Sequence, residues 1–413
     1  MNDYGESTKM GNKPELIRKL SLPLLVFYGI GTILGAGIYV LIGKVAGEAG
    51  FYTPFSFIFA SLLAAFSAFS YAELAARFPR SAGEAIYIEE GFGIKKFSIT
   101  VGLMIVTVGI ISIATLAHGF AGYLKVFFDL SETLIVIFFI LSIALVCIWG
   151  IGQSVLMASI MTVVEIIGLL IILYIGRDAF SLAPVKFSEM LPPLEVSVWT
   201  GILMGSFIAF YAYLGFEDIV NVAEEAIKPR INIPLAIIIS LIVTTLFYIL
   251  IAMVAILLIP AKELASSNAP LAMLYETMTG KSPVIITFIS LISVINGALI
   301  QMIMGSRVLY GMSRKKWLPA KVGEVNSVTH TPIVATMIMV FFILLFALLL
   351  PLLSLAKITS FITLIIFMFI NFALLKIKYS QKDHLGFTVP TVVPLVGGFS
   401  TLLFIFYLIS VLV

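Results

Sequence analysis

The sequence predicts an all-α protein that crosses a membrane about eleven times, and three observations support this fold class. Hydrophobic residues make up 61% of the 413 residues and charged residues only 11%, whereas a typical soluble domain is about 25% charged. Apolar stretches of about 20 residues, the length that crosses a bilayer as a helix, recur along the chain. Lysine and arginine are concentrated in alternate loops, as in polytopic membrane proteins. The lipid bilayer is therefore the first predicted partner.

The apolar stretches define eleven spans, numbered here in chain order. Only short polar loops separate them, so we expect no separate soluble domain. The basic residues place the N-terminus in the cytoplasm and the C-terminus outside the plasma (inner) membrane. The predicted spans are 22–46, 52–77, 97–126, 132–150, 154–176, 197–224, 233–259, 283–311, 332–350, 354–376 and 392–413.

Composition and motifs disfavour several classes of function. The net charge is +3 and the basic residues are scattered, which argues against nucleic acid binding. One cysteine allows no internal disulfide. The three histidines are far apart, and the sequence has no zinc-protease motif, nucleophile elbow or glycine-rich phosphate loop. We therefore predict no enzyme, no cofactor and no metal site. Because no pore loop with a filter-like sequence appears either, a polytopic carrier remains.

Spans 1 and 6 contain residues that destabilise a membrane helix at mid-length. Span 1 has four glycines within "GIGTILGAGIYV" (29–40), and span 6 contains "YAYLGFED" (211–218). Gly31 and Gly35 are four residues apart, which also suits close helix packing. The alternative is a broken helix, whose freed backbone groups bind substrate or protein and whose second half presents a positive N-terminal end at mid-membrane. Breaks at matching places in two spans favour the broken-helix interpretation.

The two predicted breaks also suggest an internal repeat. Spans 1 and 6 each begin a set of five spans, and an odd number of spans places the second set upside down in the membrane. The sequence therefore predicts a 5+5 inverted repeat with broken helices 1 and 6. The predicted segments are 1–21 as a cytoplasmic N-terminal segment, 22–176 and 197–376 as the two repeats, and 385–413 as helix 11.

Several motifs resemble those of one transporter superfamily. They are "GTILGAGIYVLIG" (31–43), "YAELAARFPRSAGEAIYI" (71–88), "ATLAHGFAGYL" (114–124), "GFEDIVNVAEEAIKPRINIPLAI" (215–237) and "NGALIQMIMGSRVLYGMSRKKWLP" (296–319). Together they resemble the amino acid–polyamine–organocation superfamily, over nearly the whole chain. The resemblance implies a leucine-transporter-type fold. Many members have twelve spans, and this chain has eleven, so oligomeric state stays open.

The resemblance implies a substrate site at the two breaks. Amides of the span 1 break would bind an α-carboxylate, and carbonyls of the span 6 break would bind an α-amine. Tyr211 would cover the substrate as a gate. Asn296 in span 8 either lines the pocket or is a buried, satisfied amide, and Glu217 is expected below the site in a gating or hydrogen-bonding role. The implied binding residues are Thr32, Gly35, Ala36 and Gly37 in span 1 and Phe210, Tyr211, Ala212 and Tyr213 in span 6.

Glu165 is the only acidic residue in the otherwise apolar span 5. One interpretation is a neutral carboxyl group hydrogen-bonded at a helix interface. The other is a coupling-ion residue, because aligning Gly150 and Ser154 with the superfamily places Glu165 where several members have a lysine. The desolvated carboxyl group could carry a proton or hold a cation, and we expect a proton rather than sodium.

The sequence thus predicts a secondary active transporter of L-amino acids that works by alternating access. Neutral amino acids are favoured, because no charged pocket residue is clearly aimed at a substrate side chain. The alternatives are an amino acid or polyamine exchanger and a non-transporting sensor on the same scaffold. Only about 21 residues precede span 1, where a sensor would be expected to have a longer cytoplasmic extension.

Overall fold

The computed structural model describes residues 20–80, 83–149, 155–182, 191–327, 329, 331–380 and 386–412. Most of the predicted segment 1–21, the residues Gly150 and Ser154 used to align span 5, and residue 385 at the start of the predicted segment 385–413 lie outside this description. The predicted span positions can be compared with the structure everywhere else.

The described residues contain eleven apolar helical spans. Nine helical stretches are long and apolar enough to cross a membrane, the first of them contains two helices, and Ile333–Leu349 is a shorter apolar helix. The predicted all-α, eleven-span membrane fold is therefore confirmed. The spans are Leu22–Ala49, Thr53–Arg77, Lys95–Leu124, Glu132–Trp149, Val155–Ile175, Val196–Ala212 with Phe216–Glu225, Pro229–Leu258, Val284–Arg314, Ile333–Leu349, Leu352–Ser380 and Val392–Leu412.

Three short helices occupy segments that the sequence analysis treated as connections. They are Gly83–Phe92, Ala261–Ser266 and Pro270–Thr279. The last has a proline in its first turn and ends at Gly280, whose φ of 64° is the left-handed conformation that commonly stops a helix. Such capping signals are local, whereas the predicted spans rest on apolar stretches of about 20 residues, so helices of 6 to 10 residues were not predicted.

Burial separates central from peripheral spans. In the most apolar 18-residue stretch of Leu22–Arg77, 88% of the residues are buried, against 39% in the corresponding stretches of spans 4, 5 and 11. Spans 1 and 6 pack together, as do spans 2 and 7 and spans 3 and 8. Each of these pairs joins a span to the one five positions later. This pairing is what a 5+5 repeat would produce, and spans 1 and 6 lie at its centre.

A buried ion network joins span 2 to the connection between spans 10 and 11. The carboxylate of Glu73, with no exposed surface, accepts hydrogen bonds from Arg77 at 2.7 and 2.9 Å and from Lys378 at 2.6 and 2.7 Å. It also accepts from the amide of Val389 at 2.8 Å. The network therefore holds the segment before span 11 against spans 2 and 10.

Glu73→Gln is expected to lower the free energy of unfolding by about 3–5 kcal/mol, because two mostly buried cations, Arg77 and Lys378, lose the carboxylate that both of them contact. The drop in Tm of the detergent-purified protein measures it. Glu89→Gln is the control: its pair with Lys315 is roughly half exposed on both sides, so a change within about 0.5 kcal/mol is expected. Equal effects of the two variants would contradict a structural role for the network.

Candidate functional site

The span 1 helix is interrupted at Gly35. Its φ and ψ are 6° and −115°, outside the helical region. Carbonyl groups released at such a break in a membrane must find other donors. The carbonyl of Ile33 accepts from the hydroxyl of Tyr248 in span 7, and that of Gly35 from the hydroxyl of Ser293 in span 8, both at 2.7 Å. Side chains of two other spans therefore stabilise the break.

Span 6 is interrupted at the matching place. Its α-helix ends at Ala212, and the chain resumes at Phe216 as a 3₁₀ helix. Gly215 between them has a φ of 125°, a conformation open essentially to glycine. The amide of Gly215 donates to the carboxylate of Glu217 at 2.8 Å. Glu217 thus caps the start of the second half-helix, and the predicted breaks in spans 1 and 6 are both present.

The two breaks contact each other directly. The hydroxyl of Thr32 lies 2.9 Å from the carbonyl oxygen of Gly215 and 2.8 Å from that of Gly29 in its own span, and it shares its proton between them. The hydroxyl of Tyr248 lies 2.7 Å from the carbonyl of Ala212, the same distance that separates it from Ile33. Because one hydroxyl has one proton, Tyr248 shares it between an acceptor in each break. The two interrupted helices are therefore joined at mid-membrane.

Glycine is required where the breaks touch. A Cβ atom on Gly37 would lie 2.5 Å from the Cα of Ala212, and one on Gly215 would lie 2.5 Å from the carbonyl oxygen of Thr32. Both neighbours are backbone atoms, which cannot swing aside as a side chain end can. The glycines that predicted the breaks are thus also needed for the close approach of the span 1 and span 6 backbones.

A small cavity lies at the junction of the breaks. Its volume is about 30 Å³, which is room for one or two water molecules and far below the roughly 300 Å³ of common ligand pockets. Separation of the surrounding spans is needed to admit an organic molecule. The cavity is lined by Thr32, Ile33, Gly35, Gly37, Ser112, Leu116, Tyr211, Leu214, Gly297, Ile300 and Gln301.

Of the residues implied as substrate ligands, Thr32, Gly35, Gly37 and Tyr211 border this cavity. The side chain of Ala36, between the two glycines, is outside the described part of the chain. Tyr211 is 6% exposed, and its hydroxyl donates to the carbonyl of Ser112 in span 3 at 3.2 Å. Its role as a gate stays a prediction.

Phe210, Ala212 and Tyr213 lie behind the cavity wall. The ring of Phe210 packs on Phe367, and the hydroxyl of Tyr213 donates to the carbonyl of Phe57 at 3.0 Å. The resemblance implied only the backbone carbonyl groups of Phe210–Tyr213 as ligands. Three of these four carbonyls already have donors: those of Phe210 and Tyr211 accept from backbone amides, and that of Ala212 accepts from the hydroxyl of Tyr248. Among the described residues, none donates to the carbonyl of Tyr213, which leaves it as the free acceptor.

Glu165 and Asn296 form a separate buried pair. The side-chain amide of Asn296 donates to Oε1 of Glu165 at 2.8 Å, and both residues are at most 1% exposed. Within the described chain, the other oxygen, Oε2, has no hydrogen-bond partner, and no lysine or arginine forms an ion pair with it. A Cβ atom on Gly31 would lie 3.1 Å from the Asn296 amide. The pair therefore borders span 1, and Asn296 does not line the cavity.

A group of buried carboxylates lies beside the second half of span 6. Asp218 accepts from the side-chain amide of Gln301 at 2.9 Å, next to the Glu217 cap. Glu84, on the short helix Gly83–Phe92 between spans, is buried, and burial, followed by the nearby Glu217 charge, raises its pKa to about 8. At neutral pH most of the Glu84 population is therefore protonated, which limits the charge that this region must bury.

A larger cavity, of about 680 Å³, lies at the end of the bundle predicted to be outside. Charged side chains from spans 1, 3 and 4 border it together with the connection before the helix Pro270–Thr279. It shares no lining residue with the central cavity. The charged lining residues are Lys44, Glu48, Lys125 and Glu132, with His118 beside them.

Sequence reasoning missed several residues of the site. Gln301 is polar within apolar span 8, a signal that could have drawn attention to it. Ser293 and Tyr248 have no such signal, because single hydroxyl residues are frequent in membrane helices and their partners are distant in the sequence. Leu116 and Ile300 match their apolar surroundings, so only the fold identifies them as lining residues.

Comparison with known proteins agrees with this architecture. The family model described as amino acid permease matches residues 20–413. The chain is 26% identical to the branched-chain amino acid permease BcaP of Bacillus subtilis over 423 residues, covering 96% of this chain and 88% of that protein. It is 26% identical over 435 residues to the mitochondrial cationic amino acid transporter 3 of Arabidopsis thaliana, covering 95% and 70%.

A solved structure shares the fold. The crystal structure of MhsT in complex with L-phenylalanine matches with a TM-score of 0.68 at 12% identity, covering 96% of this chain and 99% of that one. At this identity the match concerns the fold alone. The leucine-transporter-type fold and the superfamily membership implied by the sequence motifs are confirmed.

Proposed function

The chain belongs to the amino acid permease family, and from this premise we propose that it is a secondary active transporter of L-amino acids. It works by alternating access in the plasma membrane, with its N-terminus in the cytoplasm and its C-terminus outside. The observation that carries the proposal is the meeting of two interrupted helices at one mid-membrane cavity. The 5+5 inverted repeat, with repeats at 22–176 and 197–376, is part of this proposal and is supported by the pairing of spans 1 with 6, 2 with 7 and 3 with 8.

The cavity offers complementary groups to a zwitterion. The second half of span 1 begins beside Gly35, so its first amides and its helix dipole favour a carboxylate among Gly35, Ala36 and Gly37. The carbonyl of Tyr213, the free one among the four of Phe210–Tyr213, lies behind the cavity wall in this closed arrangement and is assigned to the ammonium group once the spans separate. Thr32 places its hydroxyl between the two breaks. An α-amino acid carries both required charges, whereas a polyamine has no carboxylate.

Gating follows from the closure of the cavity. Tyr211 borders the cavity and is held to span 3 by its bond to Ser112, and Glu217 caps the second half-helix of span 6. Separation of Tyr211 from Ser112 opens one path, and displacement of the second half of span 6 opens the other. Coupling is assigned to Glu165, whose unpartnered oxygen is able to carry a proton, with sodium as the competing ion.

Thermal shift and uptake test the proposal. Purified protein is screened against the twenty amino acids, their amides and common polyamines, because a ligand that binds only the folded state raises Tm by mass action. We expect at least one amino acid, and not its amide, to raise Tm and to enter proteoliposomes. If amino acid amides raised Tm as much as the amino acids do, the proposed carboxylate site would be wrong. If only polyamines raised Tm, polyamines would replace amino acids as the proposed substrates.

Tyr211→Ala is expected to weaken amino acid binding by about 1–3 kcal/mol, the range for loss of a buried aromatic contact. Tyr211→Phe is the control: it keeps the ring and loses only the bond to Ser112, so its affinity is expected to fall by about 1 kcal/mol or less. Equilibrium binding of a radiolabelled amino acid found in the screen measures both. An unchanged affinity in Tyr211→Ala would place this side chain outside the substrate path.

A further inference from the structure

Gln301 connects the cavity wall to a buried acid. Its side chain borders the central cavity, and its Nε2 group donates to Oδ2 of Asp218 at 2.9 Å. Asp218 follows the span 6 break and is 7% exposed. The two residues are 83 positions apart in the chain and lie on different spans, so the fold alone brings them together.

The bond to Asp218 fixes which way the Gln301 amide faces. Nε2 of Gln301 donates to Oδ2 of Asp218, so the amide oxygen at the other end of the group points away from Asp218. Within the described chain, no residue donates to that oxygen. A Cβ atom added to Gly109 of span 3 would lie 3.4 Å from this oxygen, which therefore faces span 3. Gln301 itself borders the cavity, so its amide oxygen is an acceptor without a protein donor between spans 3 and 8.

The neighbouring wall is apolar. Leu116 of span 3 and Ile300 of span 8 border the same cavity as Gln301, and the backbone carbonyl of Ser112 already accepts the Tyr211 hydroxyl. A side chain that enters between spans 3 and 8 thus meets two aliphatic groups and one amide oxygen. That oxygen is left unpaired unless the side chain brings a donor.

We propose that Gln301, held by Asp218, is the residue that selects the substrate side chain, and that it favours amino acids whose side chain carries a hydrogen-bond donor. The inference rests on the proposed function, because it assumes that an amino acid occupies the cavity. An aliphatic side chain would bury the amide oxygen without a partner, which is costly. Sites that hydrogen-bond a substrate hydroxyl reject the analogue lacking it much more strongly than apolar pockets discriminate by size. Asp218 acts as a positioning residue through Gln301.

Threonine and valine provide the matched probes, since they have nearly the same shape and differ by one hydroxyl group. We expect detergent-purified wild-type protein to bind threonine at least tenfold more tightly than valine. Gln301→Met keeps the length of the side chain without its polar atoms, and the ratio of the two dissociation constants is expected to fall to near one. Equilibrium binding of radiolabelled threonine and valine gives each ratio, and Tm confirms that the variant is folded.

Asp218→Asn is the second variant and keeps Gln301 intact. An asparagine amide donates to the Gln301 oxygen, which lets the Gln301 amide turn over and present its NH₂ group to the cavity. Because a threonine hydroxyl both donates and accepts, the threonine preference is expected to survive in this variant, whereas O-methylthreonine, whose ether oxygen can only accept, is expected to bind more tightly to Asp218→Asn than to the wild type. A wild-type threonine-to-valine ratio retained in Gln301→Met, or O-methylthreonine bound no better by Asp218→Asn than by the wild type, overturns the inference.

Different results would overturn the role of Gln301 and the proposed amino acid transport. Wild-type protein that binds amino acids but does not distinguish threonine from valine overturns the role of Gln301 and leaves amino acid transport standing. Wild-type protein that binds none of the twenty amino acids overturns the proposed function and, with it, this inference.

Discussion

Gly215→Ala is expected to abolish amino acid binding and to lower the Tm of the purified protein. A side chain at a φ of 125° strains the backbone by about 1–3 kcal/mol. The added Cβ would also lie 2.5 Å from the carbonyl oxygen and 2.6 Å from the carbonyl carbon of Thr32, and relief of such overpacking costs about 1–3 kcal/mol more. Relief requires the two breaks to separate, which displaces the residues that border the cavity.

Gly280→Ala separates these two effects. Gly280 also has a positive φ, of 64°, but an added Cβ would meet no atom within 4 Å. We expect this control to lower Tm modestly, through backbone strain alone, and to leave binding and uptake at wild-type values. If Gly215→Ala bound amino acids as well as Gly280→Ala does, the contact between the breaks would not be needed to form the site.

The breaks were predictable because acidic residues are rare at mid-span and because two spans carry helix-weakening residues at matching places. Glycines at mid-span weaken a helix, and acidic residues at that depth are expensive, so Gly35 and the segment 215–218 stood out from an apolar background. The fold followed from the same features together with span length. Helix propensity and the cost of buried charge were thus enough to predict that spans 1 and 6 are each interrupted.

The partners of the breaks were not predictable in this way. Tyr248, Ser293 and Gln301 act through contacts with residues far away in the sequence. The two hydroxyl residues are ordinary in their spans, and the polarity of Gln301 does not by itself identify Asp218 as its partner. Asn296 shows the limit most clearly: its polarity suggested a pocket residue or a satisfied amide, and the structure places it against Glu165. Which of several buried polar groups meet depends on how the spans rotate against one another, and that is set by packing of the whole bundle.

Glu165→Gln is expected to keep substrate binding and exchange but to lose accumulation driven by a pH gradient. The carboxyl group has no exposed surface, and within the described chain its Oε2 has neither a hydrogen-bond donor nor a cation. An ionised, unpaired carboxylate in such surroundings costs several kcal/mol. We therefore expect Glu165 to be protonated in this closed arrangement and to release its proton when the path to the cytoplasm opens.

The geometry explains why glutamine is the informative substitution. An amide oxygen still accepts the hydrogen bond from Asn296, so the contact between spans 5 and 8 is retained. The amide NH₂ group occupies the place of the protonated Oε2, which makes the side chain permanently neutral. The variant thus mimics the protonated state and removes only the ability to exchange a proton.

Reconstituted vesicles test the coupling directly. Wild-type protein is expected to concentrate an amino acid found in the binding screen when the outside is more acidic, with faster uptake as the outside pH falls. Glu165→Gln is expected only to equilibrate it, so that the ratio of inside to outside concentration stays near one. Glu276→Gln, at an exposed position on the helix Pro270–Thr279, is the control and should accumulate substrate as the wild type does.

A sodium gradient without a pH step distinguishes the competing ion. The Glu165–Asn296 pair borders span 1 at Gly31. Its carboxylate and amide oxygens are also suitable ligands for a hard cation such as sodium. Accumulation that requires sodium, and is lost in Glu165→Gln, would keep the site and replace the proton. Proton-driven accumulation that survives unchanged in Glu165→Gln would remove this residue from the coupling mechanism, because a permanently neutral side chain cannot bind and release the coupled proton.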